Sequence, residues 1–193
     1  MKKKIDTEYS TTMIHGRFQP FHNGHLDYFM RALKITTQRL IVGITNPYPE
    51  LILKEATDDH RHLLGANPFT FYERYRMISE SVKFHPALIN GDIELIIVPF
   101  PIHHKELWRF FIPPNAVQVM SIFEDWDVEK KNRFVAYGFK VHELQCERMV
   151  SGEFVRSNLK KLLNVGEISN LAPTGTINVL NELNNCDILS RNN

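Results

Sequence analysis

The sequence predicts an α/β fold, a Rossmann-like doubly wound parallel sheet with helices on both faces. Segments of strand character alternate along the chain with segments that repeat apolar residues at helical spacing. The strand candidates at 40–44 and 95–98 are continuous apolar runs, which are typical of strands buried on both faces. The chain has 193 residues and neither an internal repeat nor a linker, so one domain over 1–193 is predicted, with frayed tails at 1–10 and 185–193.

Local signals place the elements in order. The first helix, over 23–35, is predicted from apolar residues at helical spacing, namely Leu26, Phe29, Met30 and Leu33. Thr70 and Glu73 have the spacing of a capping box and open a second helix, which ends before Pro86. The other predicted elements are strands over 12–16, 40–44, 94–98, 116–120 and 139–142 and closing helices over 151–163 and 176–183.

Composition and charge limit the class of protein. Hydrophobic residues make up 43% and charged residues 23%, which fits a soluble globular chain and excludes collagen-like, coiled-coil and disordered ones. The net charge of +1 gives no overall basic field, so no nucleic-acid partner is expected. The two cysteines, Cys146 and Cys186, have no CxxC spacing and predict neither a zinc site nor a disulfide framework. Polar residues follow the basic start, and no apolar run reaches the ~20 residues of a membrane helix, so a cytoplasmic location without membrane contact is predicted.

The loop between the first strand and the first helix carries the most informative residues. Gly16 and Gly24 let the backbone approach a ligand closely. His22 and His25 fall at the start of the helix, where unpaired N–H groups and the helix dipole favour an anion. Arg17 adds a guanidinium that matches phosphate oxygens. These residues predict a polyphosphate site. They do not form a zinc-protease motif, because such a motif spaces its histidines four apart with a glutamate between them, and His22 and His25 are three apart.

A second helix start repeats this chemistry near the carboxyl end of the chain. Ser151 is a good N-cap, Gly152 follows it, and Arg156 lies one turn into the helix. This arrangement predicts a second phosphate-binding helix start. A solvated surface arginine is the alternative interpretation of Arg156.

These segments resemble those of a known family. Residues 16–26 read GRFQPFHNGHL, which resembles the GRFQPFHxGHL signature of the archaeal-type nicotinamide-mononucleotide adenylyltransferases of the HxGH nucleotidylyltransferase superfamily. Residues 67–74 are similar to the family's NPFTxxER segment, 99–102 to its PxPI, 151–156 to its SGTxxR and 171–173 to its LxP. The resemblance therefore extends in order over about residues 12–184.

The resemblance implies a reaction and a set of residues. AMP would pass from ATP to the phosphate of a nicotinamide or nicotinate mononucleotide, forming a dinucleotide and releasing pyrophosphate. Mg²⁺ would be bound through the nucleotide phosphates with few or no protein ligands, and the resemblance also suggests self-association into homo-oligomers. The implied catalytic residues are His22, His25, Arg17 and Arg156; the nucleotide-binding ones are Gly16, Phe18, Gly24, Ser151 and Ser121; the acceptor-binding ones are Asn46, Trp108 and Lys105.

Several positions depart from the family pattern and keep other substrates open. Glu153 replaces a threonine of SGTxxR, residues 121–123 replace an SGN segment, and 46–49 replace a serine-containing turn. Lys105 replaces an asparagine, and a lysine favours an anion over a carboxamide. The alternatives are therefore the same chemistry with CTP, a sugar phosphate or a secondary metabolite, or a nucleotide sensor without turnover.

Some candidate residues have a structural interpretation as well as a functional one. Trp108 could stack on the nicotinamide ring or lie in the core. The polar segment at 60–62 could contact phosphate or form a solvated loop, and His103 and His104 are expected at the edge of the pocket or on the surface.

Overall fold

A computed structural model describes residues 8–48, 52–53, 63–146, 150–164 and 166–185. Five parallel strands form one sheet in the order β3-β2-β1-β4-β5. The strands are β1 (Tyr9–Gly16), β2 (Thr36–Thr45), β3 (Glu94–Phe100), β4 (Val117–Ser121) and β5 (Val141–Leu144). The helices are α1 (Asn23–Lys34), α2 (Phe71–Val82), α3 (Pro86–Ile89), α4 (Asp125–Ala136), α5 (Gly152–Ser157), α6 (Leu159–Asn164) and α7 (Thr174–Asn185), with short 3₁₀ helices at Leu64–Ala66, Lys105–Phe110 and Glu167–Asn170.

Alternate residues of the central strands bury their side chains in two separate cores. Ile14 and Val42 face the core formed with α1, α2 and α7. Met13 and Ile41 face the core formed with α4 and the 3₁₀ helix Lys105–Phe110. Helices therefore cover both faces of the sheet, which confirms the predicted α/β doubly wound fold. Among the described residues, no helix is both long and apolar enough to cross a bilayer.

Strand β3 runs two residues beyond its predicted end at residue 98. It includes Pro99, which pairs with Ile44 of β2. Because β3 is the edge strand of the sheet, the missing N–H of proline costs no ladder hydrogen bond on the outer side.

The predicted tails are shorter than expected where the structure describes them. Tyr9 and Ser10 belong to β1, and Asn185 ends α7. The N–H of Tyr9 donates to the Ile35 carbonyl at 2.8 Å, and the Tyr9 hydroxyl lies 3.1 Å from His142 Nδ1. These contacts hold the start of the chain in the sheet. Residues 1–7 and 186–193 lie outside the described residues.

The helices differ from the prediction in three places. Neither α3 nor α4 is predicted from the sequence, and the predicted helix over 151–163 is divided into α5 and α6. The division falls at Asn158, whose side-chain amide donates to the Phe154 carbonyl at 3.0 Å. An asparagine that bonds to its own backbone competes with the helical ladder and favours a break.

Candidate active site

A cleft of about 990 Å³ opens at the carboxyl end of the sheet. It lies at the end of β1, which has β2 on one side and β4 on the other. The chain first adds β2 and β3 on one side of β1 and then crosses over to add β4 and β5 on the other side. In open parallel sheets, ligands bind at such a switch point. The volume is at the upper end of the range of small-molecule pockets.

Two histidines cap the start of α1 reciprocally. His22 is the N-cap, and its Nδ1 accepts from the N–H of His25 at 3.4 Å. His25 Nδ1 accepts in turn from the N–H of His22 at 3.4 Å. The two rings stack with centroids 3.7 Å apart. The residues that the sequence places at the cleft are thus also the residues that begin the helix.

This capping arrangement orients the other nitrogen of each ring. Because Nδ1 accepts a hydrogen bond, a neutral ring carries its proton on Nε2, as assigned from the hydrogen-bond network. His22 Nε2 lies 3.6 Å from the point where a Cβ on Gly152 would stand, so it faces the start of α5. Both histidines line the cleft. They can therefore offer N–H donors to a ligand there.

The start of α5 meets the start of α1 at this point. Ser151 caps α5 by accepting from the N–H of Phe154. Arg156 folds back, and its Nη1 donates to the Gln19 carbonyl at 2.8 Å. A Cβ on Gly152 would stand 3.2 Å from that Nη1, so a glycine leaves just enough space for the guanidinium. Two helix starts, two imidazoles and an arginine consequently line one cleft, and the arginine and one imidazole both border Gly152.

A buried guanidinium holds the two loops that border the cleft. Arg74 is 1% exposed and donates to the carbonyls of Arg17 at 2.9 Å, Thr45 at 2.7 Å and Asn46 at 2.9 Å. Burial lowers the pKa of Arg74 to about 10, so the group stays cationic at neutral pH. Its role is to join the end of β1 to the end of β2.

Other hydrogen bonds fix the loop before α1. Gln19 pairs with the backbone of Phe69 through two bonds of 2.9 Å. The buried hydroxyl of Thr176 at the start of α7 donates to the Phe21 carbonyl at 2.8 Å. The N–H of Asn23 donates to the Leu171 carbonyl at 2.8 Å. The loop is thereby held from both sides, which preorganises the histidines.

Most of the predicted site residues come together in this cleft. Its lining includes Gly16, Arg17, Phe18, His22, Gly24, His25, Asn46, Ser121, Ser151 and Arg156. Arg17 also reaches toward the Ala66 carbonyl, with its Nη1 at 3.4 Å.

Trp108 and Lys105, which the resemblance implies as acceptor-binding residues, are not among the residues that line the cleft. Trp108 is 1% exposed, stacks on Phe134 with centroids 4.3 Å apart, and donates from its indole N–H to the Pro101 carbonyl at 3.2 Å. It is a core residue. Lys105 is exposed, and its ammonium lies 5.7 Å from the ring centre of Tyr137 on the outer surface.

The tryptophan that lines the cleft is Trp126 of α4, which stacks on His103 with ring centroids 5.8 Å apart. His15, Asp127 and Lys130 also line the cleft. Sequence reasoning assigned a role to none of the last three, although His15 directly precedes the GRFQPFHNGHL segment. The predicted phosphate contacts at 60–62 lie outside the described residues.

Comparison with known proteins identifies the family. Residues 13–158 match the cytidylyltransferase-like family. The chain belongs to this family. Phosphonoformate cytidylyltransferase from Streptomyces viridochromogenes is 38% identical over 151 residues, which are 77% of this chain and 80% of that protein. Nicotinamide-nucleotide adenylyltransferase from Methanococcus aeolicus is 28% identical over 188 residues, which are 94% of each protein.

The resemblance to archaeal adenylyltransferases is thus confirmed, and this member of the cytidylyltransferase-like family is an enzyme of the nucleotidyltransferase class. Among solved structures, Thermotoga maritima TmcAL bound with α-thio ATP aligns with 91% of the chain at 16% identity and a TM-score of 0.43, and the chain spans 56% of that protein.

Proposed function

We propose that the chain transfers AMP from ATP to the phosphate of a nicotinamide or nicotinate mononucleotide and releases pyrophosphate. The observation that supports this most is the meeting of two helix starts, where His22 Nε2 and Arg156 Nη1 both border Gly152. Relatives that are nicotinamide-nucleotide adenylyltransferases align with nearly the whole chain. The ordered similarity from residue 16 to residue 173 supports it further.

The mechanism is in-line displacement at phosphorus. An oxygen of the acceptor phosphate forms a bond to the α-phosphorus of the nucleoside triphosphate. The bond from that phosphorus to the bridging oxygen breaks, and its electron pair leaves with pyrophosphate. His22, His25 and Arg156 donate hydrogen bonds to the phosphate oxygens, on which charge accumulates. The enzyme acts by alignment and charge stabilisation and needs no covalent intermediate.

The donor set at this end of the cleft fits Mg²⁺ bound through phosphate oxygens. Arginine and imidazole N–H groups would face the phosphates, whereas Mg²⁺ prefers oxygen ligands. Within the described ranges, no three His, Cys, Asp or Glu side chains converge as a metal site. The ion would screen the charge of the triphosphate.

A second candidate is transfer of CMP from CTP to a small phosphonate or phosphate. Two observations favour it. The relative that is 38% identical is a phosphonoformate cytidylyltransferase. The residues that would read nicotinamide by resemblance, Trp108 and Lys105, lie outside the cleft.

Pyrophosphate release from purified enzyme with Mg²⁺ separates the candidates. ATP and CTP are each combined with two acceptor pairs: nicotinate and nicotinamide mononucleotide, and phosphonoformate and methylphosphonate. Turnover with ATP and a mononucleotide supports the first candidate, and turnover with CTP and a phosphonate supports the second. Tight ATP binding in calorimetry without turnover of any pair would instead indicate a nucleotide sensor.

A further inference from the structure

We propose that Lys130, together with His15 and Asn46, forms a subsite that binds a carboxylate on the acceptor. The inference rests on the proposed nucleotidyl transfer and names the acceptor class: a phosphate or phosphonate that bears a second, carboxylate group. Asn46 follows β2 on one side of β1, His15 lies at the end of β1 itself, and Lys130 belongs to α4, which packs against β4 and β5.

Two buried polar atoms at the cleft have no partner within the described residues. His15 Nδ1 and Asn46 Oδ1 make no hydrogen bond, although each residue is only 5% exposed. Gln118 lies beside His15 and interacts with its ring, but neither its side-chain amide nor His15 Nδ1 has a partner at full hydrogen-bond geometry. A buried polar atom without a partner is costly, and a ligand group that supplies one removes the cost.

The charge state of His15 fits the role of a neutral donor. Burial and, second, the charge of Lys130 lower its pKa to about 3. A neutral imidazole offers one N–H, and the amide of Asn46 can present its N–H after a half-turn, since O and N are assigned from the network. Each can then donate to a carboxylate oxygen.

Lys130 brings a positive charge to the same side of the cleft. Its side chain is only 14% exposed, and its ammonium lies 2.9 Å from Asp127 Oδ1. The other oxygen of Asp127 accepts from the N–H groups of Phe123 at 3.1 Å and Glu124 at 3.2 Å. The aspartate is therefore fixed by the start of α4 and holds the lysine in place. An ammonium has three donors, so it can bind an anion while it keeps this ion pair.

A flat wall flanks the lysine. Trp126 and His103 stack at an interplanar angle of 23° and line the cleft, and the Lys130 ammonium lies 5.8 Å from the Trp126 ring centre. An aromatic wall beside a cation suits a planar group such as a carboxylate or a nicotinate ring. The anion-binding role that the sequence gave to Lys105 thus passes to a lysine on another element.

The acceptor pairs defined above test the inference, because the members of each pair differ in a carboxylate. For Lys130→Met, we expect kcat/KM for the carboxylated member to fall by about tenfold or more, since a hydrogen bond to a charged group contributes about 1.5–3 kcal/mol. The loss should appear in the KM of that acceptor, with the KM of the nucleotide and turnover of the member without the carboxylate unchanged. Lys130→Arg should restore part of the preference.

Lys131→Met is the matched control. Lys131 is the next residue on α4, its side chain is 35% exposed, and it pairs with Glu143 at 2.7 Å on the surface. The Lys131→Met variant should have wild-type kcat/KM for both members of each acceptor pair. Equal losses in Lys130→Met for the members with and without the carboxylate, or a carboxylate preference that survives the substitution, would overturn the inference while leaving the proposed function intact.

Absence of turnover with every pair would refute the proposed function instead. Calorimetric binding of nicotinate mononucleotide and phosphonoformate to wild type and Lys130→Met then decides the inference. Weaker binding of both by the variant supports the subsite, and equal binding, or no binding to wild type, contradicts it.

Discussion

Replacement of Arg74 by methionine would measure how strongly one buried guanidinium organises the cleft. Its Nη1 and Nη2 donate to the carbonyls of Arg17, Thr45 and Asn46, and its Nε donates to the Thr70 carbonyl at 3.1 Å. Methionine has a similar length and no donor. The backbone N–H of residue 74 still donates to Thr70 at 3.2 Å, so the other three carbonyls are the ones that lose their guanidinium.

The size of the effect follows from these three carbonyls. Each buried acceptor left unsatisfied costs about 1–3 kcal/mol. Arg17 and Asn46 line the cleft, where water can enter, so the lower end of that range applies. We expect a loss of about 3–5 kcal/mol, which is a large part of the ~5–15 kcal/mol that stabilises a typical domain.

Equilibrium unfolding in urea measures this loss. Arg74→Lys keeps the positive charge but has fewer hydrogen-bond donors, so its loss of unfolding free energy should be intermediate. Arg76→Met is the control on the same helix, because Arg76 pairs with Glu182 at 2.7 Å on the surface and such pairs contribute little. A loss for Arg74→Met no larger than that for Arg76→Met would refute the proposed role of Arg74.

Three further predictions concern pH, phosphate access and helix contact. The pKa of His15 is lowered to about 3 in the folded state, so only the unfolded state takes up this proton as the pH falls from 6.5 toward 3. The free energy of unfolding should therefore fall by about 1.4 kcal/mol per pH unit between these two values. Urea titrations at several pH values should show this fall for wild type and its removal in His15→Gln. An unchanged slope would contradict it. Gly152→Ala places a Cβ 3.2 Å from Arg156 Nη1, so kcat/KM for the nucleotide should fall about tenfold with little change in stability, and equal activity would argue against the site. Gly175→Ala places a Cβ 2.3 Å from backbone atoms of α2 and should cost about 1–3 kcal/mol, unlike Gly65→Ala, which meets nothing within 4 Å; similar unfolding midpoints for the two variants would contradict this.

The phosphate end of the cleft could be predicted from the sequence because its determinants are local. The loop, the N-cap and the helix start at residues 16–26 are contiguous, and so are those at 151–156. A helix start fixes its own N–H groups whatever the rest of the fold does. Only the meeting of the two starts at Gly152 required coordinates.

The acceptor end could not be predicted in the same way, because its residues come from separate elements. Lys130 comes near His15 only because α4 packs on that residue, with the Phe134 ring 5.1 Å from the His15 ring. Helix α4 begins with Glu124 and Asp127 as its capping box, and a glutamate N-cap is a weaker signal than the threonine that opens α2. The burial of Trp108 likewise depends on its contact with Phe134 of α4.

The turnover rate of His25→Ala tests the central account most directly. Removal of one N–H donor from the phosphate site should lower kcat about 100-fold or more. The free energy of unfolding should fall by only about 1 kcal/mol, as expected for loss of the reciprocal cap on α1. Turnover close to the wild-type rate in a folded variant would contradict the assignment of this helix start to phosphate transfer.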